Sequence, residues 1–318
     1  MKYIALALAV VLLANCNNRK SGIPVIGFVD AFEDNTIAQA KNGFIDALKK
    51  NGLDEKDGNI KILYRNAQGN IPILTQIVKY FISEKVSILA TSPSLSTITA
   101  IQNTKTIPVF MMVSPTPALM KVTDAGREPA NLLGVGEDLA YIDTSFLLIP
   151  RLVSPKAGKI KVGMIFNQSE PQSVEAKDRI EHLAAANNIE LVSLPINTSA
   201  DVQLITASLL SKGVDAFFAN PDNTVFASFE TIVKACDKAQ VPVFTSEAGL
   251  VARGAVAAYG ADIYGWGYQA GEQAAQYLKA ANKSRFKWQM VKNRKRVYNA
   301  AAARVYHITM PSNFEAIQ

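Results

Sequence analysis

The chain has 318 residues, 33 Lys and Arg against 27 Asp and Glu, a formal net charge of +6, and 49% hydrophobic residues. That is enough for two domains of ordinary size, each with its own core. The charge is modest, only Lys292-Asn293-Arg294-Lys295-Arg296 is a basic cluster, read as a solvated connector, and zinc-finger spacing is absent, so no nucleic-acid partner is expected.

The N-terminus reads as a targeting segment. Lys2 precedes a continuous apolar run of twelve residues, Tyr3 to Ala14. That length is too short to span a bilayer as a mature helix and suits the apolar core of a secretory signal. The run ends in Leu13-Ala14-Asn15-Cys16, which resembles a bacterial lipoprotein lipobox. It implies a signal peptide over residues 1–15, lipid on Cys16, a polar tether over 16–22, and an extracytoplasmic protein anchored to a membrane. With Cys16 lipidated, Cys236 stands alone and no internal disulfide is expected. Its helix carries it on an apolar stripe, so it is read as a core residue. His182 and His307 are the two histidines. No cluster of Cys, His and carboxylates has ligand spacing, so neither metal nor cofactor is expected.

After the tether, strands and helices alternate. Pro24 to Val29 reads as a strand whose terminal loop carries Asp30, Phe32 and Glu33. A helix follows from Asn35 or Thr36 to the Asn51-Gly52 stop, then a strand over Ile60 to Tyr64 and a helix over Ile71 to Ser83. Val86 to Thr91, Leu95 to Gln102 and Val109 to Val113 continue the pattern as strand, helix and strand, and Leu132 to Val135 reads as a short strand. Leu139 to Leu152 reads as one helix. Lys161 to Phe166 opens a second series, with helix Ser173 to Ala186, strand Ile189 to Leu194 and helix Val202 to Ser211. Val214 to Ala219 is a buried-type strand, broken by Asn220-Pro221-Asp222-Asn223 before a helix striped with Val225, Phe226, Phe229, Ile232, Val233 and Cys236. Val241 to Phe244 and Val256 to Tyr259 follow as strands. Gly265 to Ala281 is a helix rich in small residues that predicts close packing on a neighbour. Such alternation with short loops predicts a parallel, doubly wound α/β fold.

The chain also repeats itself. Lys85 to Ser94 aligns without a gap on Gly213 to Asp222, placing Pro93 on Pro221 and Ser94 on Asp222. Ile107-Pro108-Val109-Phe110 likewise matches Val241-Pro242-Val243-Phe244. Two similar halves predict two lobes facing each other across a cleft. The first comprises residues 23–136 and about 260–285, the second 137–259 and about 286–318.

Several segments together resemble a known family. They are Asn220 to Val225, Val241 to Phe244, Leu250 to Ala255, Tyr259 to Asp262, and Val162 to Asn167 with Ser169-Glu170-Pro171. They are similar to the periplasmic-binding-protein-like substrate-binding lipoproteins of ABC transporters that include tryptophan- and phenylalanine-binding members. The resemblance implies a type I two-lobe fold that closes on a small solute, favouring an aromatic or large apolar amino acid. It also implies delivery to a membrane permease and its ATPase. Where relatives carry an Asp-Pro step after Val113, this chain has Ser114-Pro115.

A zwitterion needs an anion for its ammonium and donors for its carboxylate. Asp222 is the first choice for the ammonium, with Asn223 beside it; its alternative role is to cap its own helix. Ser92, Ser94 and Thr97 lie at the matching helix start of the other lobe, where hydroxyls and free N–H groups suit a carboxylate. Ser114 and Thr116 are further donors. Asp30 and Phe32 line the first loop, Phe32 as a stacking platform, and Asn167, Ser246, Glu247 and Asp262 complete the second-lobe rim. Two other classes compete. Glu247 with Asp222, or Asp30 with Glu33, has the composition of an acid/base pair of a hydrolase, but no phosphate loop or nucleophile elbow accompanies either pair. The same fold also serves as a ligand-sensing receptor.

Overall fold

The computed structural model describes residues 22–317. The apolar run before Cys16 and Cys16 itself lie outside the described residues. Two α/β lobes are present. In the first, β1 (Val25–Asp30), β2 (Lys61–Asn66), β3 (Ile88–Ser92), β4 (Val109–Met111), β5 (Leu132–Gly136) and β11 (Gln289–Met290) form an all-parallel sheet in the order β11-β5-β4-β3-β1-β2. In the second, the sheet runs β13-β12-β10-β9-β8-β6-β7. Its strands are β6 (Lys161–Asn167), β7 (Glu190–Ile196), β8 (Ala216–Ala219), β9 (Val243–Thr245), β10 (Ala257–Ala261), β12 (Arg294–Asn299) and β13 (Glu315–Ile317). The five central strands match one for one, β2-β1-β3-β4-β5 against β7-β6-β8-β9-β10. The repeated segments therefore occupy equivalent strands, β3 and β8 followed by β4 and β9.

The chain passes between lobes after β5, after β10 and after β11. β11 pairs with Val135 and Gly136 of β5, so the first lobe's last segment runs to Met290. The Lys292-to-Arg296 cluster is not a free connector. Arg294 opens β12, which runs antiparallel to β10 and stacks the Arg296 guanidinium 4.2 Å from the Tyr259 ring centroid.

In the first lobe, α1 (Asn35–Lys50) starts where Asp34 Oδ1 accepts from the Thr36 and Ile37 N–H groups, and its apolar face buries Ile37, Phe44 and Leu48. α2 (Ile71–Ser83) is capped by Asn70, and α3 (Ser94–Asn103) follows β3. Three further helices flank the crossings: α4 (Tyr141–Phe146), α5 (Ile149–Leu152) and α11 (Ile263–Lys279). In the second lobe lie α6 (Pro171–Ala186), α7 (Val202–Leu210), α8 (Asn223–Ala227), α9 (Phe229–Lys238), α10 (Ala248–Val251) and α12 (Ala300–Val305).

Two expected helices are each divided. The segment 139–152 forms α4 and α5, because Pro150 has no N–H to give and its ring would meet the carbonyl four residues back. The stripe from Val225 to Cys236 is split at Ser228, whose φ of −111° and ψ of 15° leave the helical region. The Cys236 thiol is buried, and burial pushes its pKa up to about 12, as for an inert core side chain.

α11 lies against α1 so closely that a Cβ on Gly267 would fall 1.9 Å from the Ala40 carbonyl oxygen, and one on Gly43 2.1 Å from that of Tyr264. The small residues are what allow this contact. One apolar core runs along the facing sides of both lobes, from Phe28 and Phe44 through Leu133, Val135, Leu139 and Tyr141 to Met164, Phe218 and Phe244. A second cluster lies chiefly in the second lobe, joined by Ile37 of α1, and a third lies in the first lobe. Among the described residues no helix is long and apolar enough to cross a membrane.

Candidate ligand cleft

The crossings hold the floor of a small pocket between the lobes. The first lobe lines it with Val113, Pro115, Glu137, Ile263 and Trp266, the second with Tyr141, Gln172, Pro221, Asp222, Phe226 and Glu247, among others. Tyr141 and Trp266 meet edge to face across the hinge, with ring centroids 5.6 Å apart.

Two glutamates dominate its chemistry. Glu247 is 1% exposed and Glu137 4% exposed. Glu247 follows β9 and is held by three hydroxyls. Tyr141 Oη donates to Oε1 at 3.0 Å, Thr245 Oγ1 to Oε2 at 3.0 Å, and Ser246 Oγ lies 3.0 and 2.9 Å from the two oxygens. Burial pushes the Glu247 pKa up to about 7, against these hydrogen bonds. Glu137 follows β5, and its Oε2 accepts from the Leu139 N–H. Burial drives its pKa well up; Glu247 and Asp138 push the same way and Arg294 opposes them. Among the described residues, none that lines the pocket is Lys, Arg or His. Two desolvated carboxyls thus face a small space walled by Tyr141, Trp266 and Phe226, a setting that favours a cationic ligand group beside an aromatic one.

A wider cavity opens at the mouth, between Phe32, Gln68, Ile71 and Leu95 of the first lobe and Asn167, Glu170, Asn197 and Thr224 of the second. Contacts between the lobes flank it. Ser94 Oγ donates to Gln172 Oε1. Arg253 Nη1 lies 2.5 Å from Asp34 Oδ2 and 2.9 Å from Thr36 Oγ1, while its other nitrogens bind Glu230 and the Phe226 carbonyl.

The residues named from sequence divide sharply. Asp222 lines the inner pocket, but its oxygens are taken. Oδ1 accepts from the Val225 N–H at 2.9 Å, and Oδ2 from the Asn167 N–H and Ser173 Oγ, each at 2.5 Å. Its capping role accounts for it, while Glu137 accepts from the Leu139 N–H through one oxygen and Glu247 lines the pocket with both oxygens held by hydroxyls. Asn223 gives its side-chain amide and its N–H to Glu170 Oε2 at 2.6 and 3.2 Å. Burial and the neighbouring Asp222 both raise the Glu170 pKa. Asn167 donates its amide to Glu170 and Thr224 and lines the mouth, as Phe32 does. Ser246 serves Glu247.

The hydroxyls placed opposite Asp222 point elsewhere. Thr97 Oγ1 lies 2.9 Å from Thr91 Oγ1 and 3.1 Å from Ser114 Oγ, which also donates to the Met112 carbonyl. Thr116 Oγ1 accepts from the Leu119 N–H at 3.4 Å. Ser92 Oγ and Asp30 Oδ1 are buried without a hydrogen-bond partner, and burial lifts the Asp30 pKa to about 7. Asp262 caps α11 through the Gly265 N–H and pairs with Lys295 at 3.4 Å. Neither acid lines the inner pocket.

Sequence reasoning missed Glu137, Tyr141, Trp266, Phe226 and Gln172 as pocket residues. Glu137 had a usable signal, an acid directly after a wholly apolar strand at a crossing between lobes. Phe226 sits on a helical stripe and had none.

The profile of the family described as "ABC transporter substrate binding protein" matches residues 23–317. A protein of Clostridioides difficile (strain R20291) named "Tyrosine-binding protein" is 33% identical over 254 residues, 80% of this chain and 72% of the relative. The ligand-free, open structure of a substrate-binding protein with adhesive properties from Clostridium difficile is 26% identical and superposes with a TM-score of 0.68, covering 93% of this chain and 99% of that one. A domain from Streptococcus pneumonia in complex with L-Trp is 20% identical and superposes with a TM-score of 0.80, covering 91% and 96%. The two-lobe fold and the match over nearly the whole described chain lead to one conclusion: this chain belongs to the ABC transporter substrate-binding protein family.

Proposed function

We propose that the protein is the extracytoplasmic solute-binding component of an ABC importer, that it binds an aromatic amino acid, and that tyrosine is its foremost ligand. The observation that carries this is the inner pocket, where Glu137 and Glu247 face the space with no cation among the lining residues and Tyr141, Trp266 and Phe226 form apolar walls. The ligand's ammonium takes the place of the missing cation, and its ring packs among the aromatics. Asp222 and Asn223 hold the second-lobe wall. The tyrosine-binding relative, at 33% identity, supports the ligand class.

Binding in this reading is by lobe closure. The chain superposes better on the L-Trp complex than on the open, ligand-free structure, although it is less identical to the former. The contacts of Ser94 with Gln172 and of Arg253 with Asp34 belong to the closed state. The closed protein then presents its ligand to a permease and its ATPase, and lipid on Cys16 keeps it at the membrane.

Calorimetry of the purified protein against tyrosine, phenylalanine, tryptophan and leucine tests the ligand class. Aromatic side chains should bind and leucine should bind more weakly; no binding of any amino acid overturns the reading. Cys16→Ala should move the protein from the membrane fraction to the soluble one, and retention at full length would show an uncleaved anchor instead.

A further inference from the structure

Residues 273–314 carry nine Lys and Arg and no Asp or Glu. Those nine exceed the chain's whole net charge of +6, so the rest of the protein is net negative. All nine residues are exposed. Among the described residues one of them has an acid partner, Lys295 with Asp262 at 3.4 Å. The fold gathers most of them on one border. β11 is the outermost strand of the first lobe's sheet, bonded on one side to Val135 and Gly136 of β5. The chain then crosses through Lys292 and Asn293 and enters β12 at Arg294. Seven of the nine cations lie between residues 281 and 296, on this border and crossing. Aromatic rings hold two of them in place. The Lys283 ammonium lies 4.7 Å from the Tyr277 ring centroid and the Arg285 guanidinium 5.2 Å from that of Phe286. Such stacking orders a side chain without cancelling its charge. Phe286 and Trp288 are half-buried and Met290 is exposed, so cationic and apolar groups alternate along the border. The mouth of the cleft lies toward the opposite border, at the loops after β1, β2, β6 and β7.

We propose that this basic border docks the protein on an anionic lipid bilayer, with Lys283, Arg285, Lys287 and Lys292 over the headgroup phosphates and Phe286 and Trp288 beside them. Negative headgroups attract a polybasic surface, and aromatic rings favour the same interfacial zone. A bilayer is also the polyanion within reach. In the anchoring read from the lipobox, residues 16–22 tie the fold to lipid and extend to at most about 25 Å. β1, where that tether enters the fold, is four strand positions from β11, about 19 Å at the usual strand spacing. Arg19 and Lys20 of the tether add two more cations. A bilayer on this border leaves the mouth of the cleft open to solvent.

The experiment is vesicle co-sedimentation of the chain from Ser21 onward, which lacks Cys16 and the tether's cations and keeps every described residue. Vesicles of equal parts phosphatidylglycerol and phosphatidylcholine should bind it, phosphatidylcholine alone should not, and added salt should weaken the binding. The combined variant Lys283→Gln, Lys287→Gln and Lys292→Gln should bind about a hundredfold more weakly, at roughly fivefold for each cation lost. Lys212→Gln, Lys234→Gln and Lys238→Gln together remove the same charge from exposed positions on α9 and the turn before β8, and should change little. Both variants should keep the wild-type melting temperature. Equal losses in the two variants, no binding to the anionic vesicles, or tighter binding to a DNA duplex than to vesicles at equal phosphate overturns the inference. Each of those outcomes leaves the ligand reading and the Cys16 anchor standing, because neither enters the assay.

Discussion

The two lobes share a frame, and their equivalent positions do different work. Ser94 and Asp222 occupy the same place after the third strand in space, behind Pro93 and Pro221. Asp222 is drawn inward by three donors of its own lobe. Ser94 instead reaches across to Gln172 of the other lobe. The acids are exchanged in the same way. In each lobe the fourth and fifth strands of the frame extend by one parallel bridge, Pro115 with Glu137 and Glu247 with Ala261. The first lobe puts its glutamate on the fifth-strand extension and the second on the fourth. Even the turn before the third strand differs in cost: Gly213 has φ 72° without strain, while Lys85 holds φ 53°. A repeat thus conserves place. What a side chain does there depends on which neighbours have donors to spare.

The sharpest test of this contrast is the pair of glutamates. Glu247→Gln keeps the shape of the hydroxyl cradle and removes the charge. Amine binding should weaken by roughly 2–5 kcal/mol, the usual cost of breaking a desolvated charge pair. Calorimetry with tyrosine reads it directly, and a loss under threefold would show that Glu247 is a structural carboxyl like Asp222.

The pH profile comes next in size. A carboxyl raised in the folded state binds more protons there than in the unfolded chain, so its contribution to stability is full below about pH 4.5 and is lost as pH rises through about 7. For Glu247 that amounts to about 3 kcal/mol. The ligand-free protein should therefore melt at lower temperature at pH 8 than at pH 5.5, and Glu247→Gln should flatten the slope. Affinity for an amine should move the opposite way, strengthening between pH 6 and 8 as the carboxyl ionises.

Asp222→Ala and Ser94→Ala make the comparison between lobes explicit. Removing Asp222 leaves the buried Asn167 N–H and Ser173 hydroxyl with less to bind and uncaps α8, so thermal unfolding should show a loss of about 1–3 kcal/mol. Ser94→Ala should leave the melting temperature of the ligand-free protein nearly unchanged and speed ligand release a few-fold, measured by stopped flow. Equal effects of both variants on stability would erase the distinction.

The smallest expected effect concerns the mouth. Asp34→Asn preserves the cap on α1, since Asn caps about as well, but weakens the ion pair with Arg253. The closed state should lose about 1 kcal/mol. Solution scattering should then need more ligand to reach the compact radius of gyration.

Much of the fold is legible in residue patterns, because strands and helices are local. The apolar run Val214–Ala219, the Pro-Asp break after it, and its echo at Val86–Ser94 specify α/β units and a repeated lobe without any long-range information. Small residues at Gly265, Gly267 and Gly271 likewise announce a helix that must approach another backbone. The site is far less legible. Asp222 has the signature of both a cap and a ligand anchor, since each needs the same exposed acceptor before a helix; only the positions of the Asn167 N–H and Ser173 Oγ show where its oxygens are spent. Glu137 and Tyr141 sit at a crossing where no periodicity applies, and Trp266 belongs to a helix more than a hundred residues away. On its own, then, the sequence determined the element types and the repeat, since these follow from local hydrophobic spacing and turn residues, and it carried the family through the resemblance of its motifs. Which carboxyls face the ligand was decided only by the tertiary structure, because burial and free hydrogen-bond capacity depend on the neighbours that folding brings together.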